Sequence, residues 1–405
     1  MITIERFRTD GSSQLLRDAL ARRRPVTEGG AYTLLLEPEL AAAGPLRGVP
    51  VAVKDLIDVA GVPTQAGSRA QRDARPATAD APVIAALRRA GAALVGKTAM
   101  DEFAFGITGV NEYEGTPVHP YDHSRVVGGS SSGSALAVAE GSAAAALGTD
   151  TGGSVRVPAA LCGLVGVKPS YGVVSVAGVF PLSTSLDHVG VLAADLASAR
   201  EILRLIAPSV PWSSGMPRRI GIDRGAFEAA DSAVAVRAER ALGRLDGLVL
   251  QEVVLPDPEL VFAVSFAIVW SEAATAHART MRERPADLGR DVRERLALGG
   301  AISARTYLAA QREREMLRGA LMTLLDEFDA IVGPTVPVVA PTREEAADPA
   351  VRGRLARNPR LANIVGMPAI SVPIPGDGLP VGLQVLARTD GTALSAAELV
   401  SACLR

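Results

Sequence analysis

Three places in this chain set a reactive side chain against small or apolar neighbours: Lys54 after the run PVAV, Ser130 in GGSSSGS, and Ser154 in DTGGSVRVP. A serine hydroxyl is a poor nucleophile at neutral pH, so it needs a base. It also needs hydrogen-bond donors where charge develops on the attacked oxygen. Gly152 and Gly153 before Ser154 carry no side chains and let backbone N–H groups converge beside the serine oxygen. Taken alone, a GGS is usually just a turn. The glycine loops do not fit phosphate binding, because neither has Lys-Ser or Lys-Thr after the second glycine and neither is a GxGxxG. A flexible linker would not be interrupted by Val155 and Arg156.

Two residue types could supply the base. Of the four histidines, His119 and His123 sit in VHPYDHS, where Pro120 argues for a loop, and His277 lies in a helical stretch that suits a structural role. His188 follows Asp187 in SLDHVG and keeps a Ser/His/Asp hydrolase open, although no GxSxG elbow is present. Lysine is the alternative. Only three of the 42 basic residues are lysines, Lys54, Lys97 and Lys168, and lysine can lose its proton where arginine cannot. An unperturbed lysine titrates near ~10.4, and burial lowers that value. Lys54, behind Val-Ala-Val, is the one most readily desolvated; the plainer reading is an ion pair with Asp55 or Asp58.

These residues must be positioned by alternating helices and apolar strands. Residues 1–25 read as a helix ending in a solvated Arg22-Arg23-Arg24 run, and Val49 to Val53 as a buried strand delivering Lys54 and Asp55. Residues 80–91 read as a helix closing on Gly91, and AALVG as a strand leading to Lys97. ALAVAEG reads as a helix and SAAAALG as a buried strand, so the two Gly-Ser loops flank one helix–strand unit. Residues 192–330 look mainly helical, followed by strand candidates in AIVGPTVPVVAP, GMPAISVPIP and GLPVGLQVLA. This alternation is the mark of an α/β sheet.

Composition narrows the class. The 405 residues, 48% of them hydrophobic, can bury a large core, and a formal charge of −2 gives no basis for binding nucleic acid. Cys162 and Cys403 are too few for a disulfide framework or a cysteine metal site and suit a cytoplasmic protein. The N-terminus lacks the apolar core of a secretory signal. The longest apolar stretch, Leu260 to Trp270, is too short to span a bilayer, so no membrane association is expected.

Together, PVAVKDLIDVAG, GGSSSGSALAVAEG and GTDTGGSVRVPAALCGLVGVKPSYG resemble the amidase signature family of serine hydrolases. KTAMDEFAFG, SLDHVG, PTVP and NIVGMPAISVPIP followed by GLPVGLQVLA fit in order, so the resemblance covers nearly the whole chain. It implies one α/β domain over residues 1–405, a central mixed β-sheet of about ten strands covered by helices on both faces. Residues 200–330 would be a helical, substrate-specific part of that domain. It further implies a triad of Lys54 as general base, Ser130 as bridging serine after a cis peptide, and Ser154 as the acylated nucleophile. Amides of Thr151, Gly152, Gly153 and Ser154 match the oxyanion hole. Ser131 and Asp150 match positions that bond the lysine or hold the loop, and Arg156 matches an anchor behind it. The expected reaction is hydrolysis of a small-molecule amide, without metal or organic cofactor, with a homodimer as one candidate assembly. The same triad could instead release ammonia from glutamine for a partner protein, or transfer the acyl group to another amine; a chain that only binds is the remaining alternative. Ser132 in place of a common glycine, and the short middle of the chain, leave the substrate open. Phe105, Trp270 and Tyr307 are candidate pocket walls, and Arg279 a candidate receiver for an acidic group.

Overall fold

A computed structural model describes residues 1–9, 12–39, 41, 43–212 and 215–404. Its strands are β1 (Tyr32–Leu35), β2 (Pro50–Lys54), β3 (Ala93–Thr98), β4 (Ala145–Thr149), β5 (Val165–Lys168), β6 (Val189–Ala193), β7 (Arg219–Asp223), β8 (Val249–Val253), β9 (Ala330–Pro334), β10 (Ala369–Ile374) and β11 (Val381–Ala387). They form one 11-stranded sheet in the order β1-β3-β2-β4-β6-β5-β10-β11-β9-β7-β8. The sheet is mixed: β2 runs parallel to β3 and β4, and β7 to β8 and β9, whereas the middle from β4 through β6, β5, β10, β11 and β9 is antiparallel.

Both faces of the sheet are covered, as the alternation of side chains along each strand shows. Val51 and Val53 of β2 join one apolar cluster and Ala52 between them joins another. On β10, Ile370 and Val372 face the first cluster while Ala369 faces a third. The expected α/β class and helix–strand order therefore hold. Residues 200–330 are less uniformly helical than their composition suggests, because β7 and β8 extend the sheet from within them. RIGID and VLQEV are short, and β8 is an edge strand with mostly exposed side chains, which leaves little hydrophobic alternation to read. The N-terminal region forms two helices, Ile4–Thr9 and Ser12–Ala21, and residues 10 and 11 between them lie outside the described part. Arg23 is not simply solvated: it donates to the carbonyls of Leu36 and Val95 and so ties this region to the sheet.

The apolar stretch at Leu260 to Trp270 lies inside a 19-residue helix, Pro258–Ala276, long and apolar enough by length and composition to cross a membrane. Ser271 and Glu272 end the apolar run after Trp270, yet neither interrupts the helix. In the fold this helix packs along the helices Arg290–Gly300 and Ala304–Glu327, burying Val261, Val264 and Ile268.

Candidate active site

The parallel register of β2 and β4 explains where the reactive groups meet. Val53 pairs with Leu147, so Lys54 at the end of β2 lies beside the end of β4, and both carboxyl ends open on the same edge of the sheet. That edge is where α/β proteins commonly place ligands. Lys54 is fully buried. Its Nζ lies 2.7 Å from Ser130 Oγ and 2.7 Å from Thr149 Oγ1. Asp55 does not pair with it. Successive strand residues face opposite ways, and Asp55 forms a buried ion pair of 2.6 Å with Lys97 instead. Burial pushes Lys54 down to about 7, although the negative charges of Asp101, Asp150 and Asp187 pull the other way.

The first glycine-serine loop leads into the helix Ser132–Ala139 through a cis peptide between Gly129 and Ser130. Gly129 is required by a close approach: a Cβ there would lie 2.0 Å from Asp101 Oδ1. Asp101 is buried and accepts from the amides of Thr108 and Gly109. Burial raises it to about 6, against the opposing pull of Lys54. Ser131 spans the two loops. Its N–H donates to Ser154 O at 3.2 Å, and its hydroxyl donates to Thr149 O at 3.2 Å.

The second loop joins β4 to the helix Arg156–Cys162 and is held by a buried polar clamp. Asp150 accepts from the amides of Gly153 (2.8 Å) and Val155 (3.1 Å) and from the Arg156 guanidinium. Arg156 reaches onward to Pro359 O, Gln384 Oε1 and Asn363 Oδ1. Burial alone would raise the Asp150 carboxyl, but the Arg156 charge and hydrogen bonds outweigh it and hold it well below the usual range. Asp150 and Ser131 thus hold the loop, and Arg156 anchors it from behind. The Gly153 amide is already donated to Asp150. Of the four amides expected at an oxyanion site, Thr151, Gly152 and Ser154 are the ones not spent within the loop among the described residues. Thr151 is oriented through its hydroxyl, which donates to Asp187 Oδ1 at 2.6 Å.

Ser154, Thr151 and Gly152 line a cavity of about 400 Å³. A Cβ on Gly152 would touch nothing within 4 Å, so the missing side chain leaves free space two residues before Ser154. Part of the wall is aromatic: Phe105 packs edge-on against Trp270, and Trp270 against Phe266. Tyr307, a candidate wall, instead donates to Glu272, which also accepts from Ser183 and Ser185. Arg279 pairs with Glu283 on the surface, while the arginines that do reach the cavity are Arg295, Arg352 and Arg360. The histidines take structural positions. His188 is buried, its Nδ1 facing the carbonyls of Leu186 and Asp150; burial holds it well below its usual value. His277 packs with Phe103 and Phe180 in a three-ring cluster; His119 is buried against Leu161 O.

Sequence reasoning missed Thr149 and Asp101 as neighbours of the lysine. Thr149 could have been found from the strand pairing, since a hydroxyl at the end of β4 must sit beside the end of β2.

A glutamyl-tRNA(Gln) amidotransferase subunit of Halobacterium salinarum is 38% identical, with 89% of this chain and 96% of that protein covered. AtzE, a 1-carboxybiuret hydrolase subunit from a Pseudomonas species, is 36% identical over 85% of this chain and 80% of its own length. Among solved structures, an amidase superposes with a TM-score of 0.89 at 35% identity, covering 99% of this chain and 98% of that one. The corresponding amidotransferase subunit of Thermotoga maritima gives 0.84 at 31% identity, covering 98% and 94%. These relatives are enzymes acting on C–N bonds, or subunits named for such a reaction. Residues 36–391 match the Amidase family, and the chain belongs to it.

Proposed function

We propose that the protein hydrolyses the C–N bond of a small amide through an acyl-enzyme on Ser154, with Ser130 and Lys54 relaying the proton. The observation that carries this reading is the buried Lys54 amine, 2.7 Å from Ser130 Oγ, on a loop whose next residue, Ser131, donates its N–H to the carbonyl of the cavity-lining Ser154. A lysine lowered to about 7 is substantially neutral at physiological pH and can accept a proton. In this reading neutral Lys54 accepts the Ser130 hydroxyl proton, Ser130 accepts that of Ser154, and Ser154 Oγ attacks the amide carbonyl. The amides of Thr151, Gly152 and Ser154 stabilise the resulting oxyanion, a device whose single donors are worth roughly 3 to 4 kcal/mol. The relay run in reverse protonates the leaving amine, and water then resolves the acyl-enzyme. The two cysteines, both free, support the cytoplasmic location that belongs to this proposal.

The test is covalent. A fluorophosphonate should add one adduct to the wild-type chain, and Ser154→Ala should take none, losing roughly 10⁴-fold or more in amide hydrolysis while its melting curve is kept. Full amidase activity in Ser154→Ala refutes the assignment.

A second reading is favoured by the amidotransferase subunits among the relatives: ammonia released from glutamine for a partner protein. It predicts copurification with a second chain and glutaminase activity that rises with it. Hydrolysis of simple amides by the isolated chain, without glutaminase activity, separates the two.

A further inference from the structure

The charges that line the cavity do not balance. Asp291, Glu294, Arg295, Arg352 and Arg360 all face it, three cations against two anions. Four of these five are engaged with protein. Arg295 donates to Asp291 Oδ2 at 2.6 Å and to Phe105 O at 2.5 Å. Arg352 donates to the same Asp291 oxygen at 2.9 Å, and Glu294 accepts from Arg290. Arg360 stands apart. Among the described residues no carboxylate or carbonyl is hydrogen-bonded to its guanidinium, whose Cζ lies over the Phe262 ring at 4.9 Å. Burial lowers it to about 10, and Glu259 only partly offsets that. With no protein acceptor among the described residues, its fork of N–H groups is open to a ligand in the cavity.

Its place in the chain brings it close to the chemistry. Pro359, the preceding residue, packs against the nucleophile loop: a Cβ on Gly153 would lie 2.8 Å from Pro359 Cβ. Pro359 O accepts from Arg156 at 2.8 Å, which fixes the backbone at the start of the short helix Arg360–Ile364. The cation is therefore tied, within one residue, to the loop that carries Ser154. Phe105, Phe266 and Trp270 line the same space, and apolar surroundings strengthen charge pairing.

We propose that Arg360 receives a carboxylate on the substrate, making the enzyme selective for small amides that carry an anionic group a few bonds from the scissile C–N bond. The guanidinium fork can grip a carboxylate with two parallel N–H···O bonds, and the substrate supplies the counter-charge that the protein withholds. This rests on the amidase reading of the same cavity and adds the substrate class to it.

The experiment uses the full chain with matched probes: glutaramate against pentanamide, and 4-carbamoylbenzoate against benzamide. In the wild type kcat/KM should favour the carboxylated member by roughly 10- to 100-fold. In Arg360→Met that preference should collapse, mostly through KM, and Arg360→Lys should restore part of it. Equal kcat/KM for both members of each pair, or a preference unchanged in Arg360→Met, overturns the assignment. Should Arg360→Met fail to fold, the wild type suffices: glutarate should slow fluorophosphonate labelling of Ser154, and labelling that glutarate leaves untouched refutes the carboxylate site. Labelling itself tells the two readings apart. A labelled wild type that does not discriminate overturns Arg360 alone, and an unlabelled one removes the amidase reading beneath it.

Discussion

The edge of the sheet and the helical wall across the cavity handle charge in opposite ways. At the sheet edge the Asp150–Arg156 and Asp55–Lys97 pairs have side chains that are at most 2% exposed, and Arg156 has partners from the loop, Pro359, Asn363 and Gln384. On the wall and its surroundings, Arg279–Glu283 and Arg290–Glu294 are i,i+4 pairs in which each side chain is 46% exposed or more. A buried pair cannot lose one partner without stranding the other in a medium that cannot solvate it. A solvated pair can be rebuilt at little cost. The contrast implies that the chemistry is fixed by the sheet edge while the substrate can be changed by altering the wall.

The largest effect that can break this comparison is at Lys54. Lys54→Arg keeps the positive charge but cannot shed a proton, so kcat/KM should fall by roughly 10³-fold or more. In the wild type, Lys54 holds its proton below about pH 7 and loses it above. Activity should therefore rise with pH through about 7 and level off, and the rate of fluorophosphonate labelling should follow the same curve. A labelling rate that is flat from about pH 5 to 9 would show that residue 54 is not the base.

Next in size is the loop clamp. Arg156→Met leaves the Asp150 carboxylate buried without its cation and breaks the links to Asn363 and Gln384. Unfolding in urea should show a loss of about 3 to 5 kcal/mol. Arg352→Met on the wall, whose pair with Asp291 is partly solvated, should cost at most about 1 kcal/mol. Similar losses for the two would erase the proposed difference between the regions.

The same contrast decides what can be read without the structure. The sheet edge is legible because its signals are local: apolar runs that must be buried strands, and glycines at Gly129 and Gly153 where a side chain collides with Asp101 or Pro359. Details that depend on strand register are less visible. Thr149 reaches Lys54 only because β4 runs parallel to β2, and the Gly153 amide is turned inward only because Asp150 lies beneath it. The wall is nearly illegible. Nothing near Arg279 or Arg360 in the sequence says which one faces the cavity, because that choice is made by packing between the Pro258–Ala276 helix and a segment about a hundred residues further on. Hydrophobic periodicity places a helix's apolar side, but an arginine can lie along either boundary of that side with its stem buried.

That ambiguity frames the smallest expected effect. Arg279 is the arginine that the sequence offers as a receiver for an acidic group, and its side chain is 82% exposed, paired with Glu283 one turn along its own helix. Water solvates it, salt screens it, and it does not line the cavity. Arg279→Ala should leave the melting temperature and the ratio of kcat/KM for glutaramate over pentanamide where they are in the wild type. If the ratio fell as in Arg360→Met, selectivity would come from the summed field of the arginine-rich helices rather than from one guanidinium in the cavity. The effect would then also fade with added salt, as a field acting through water does, whereas a direct Arg360–carboxylate pair in the cavity should lose less of its preference as ionic strength is raised.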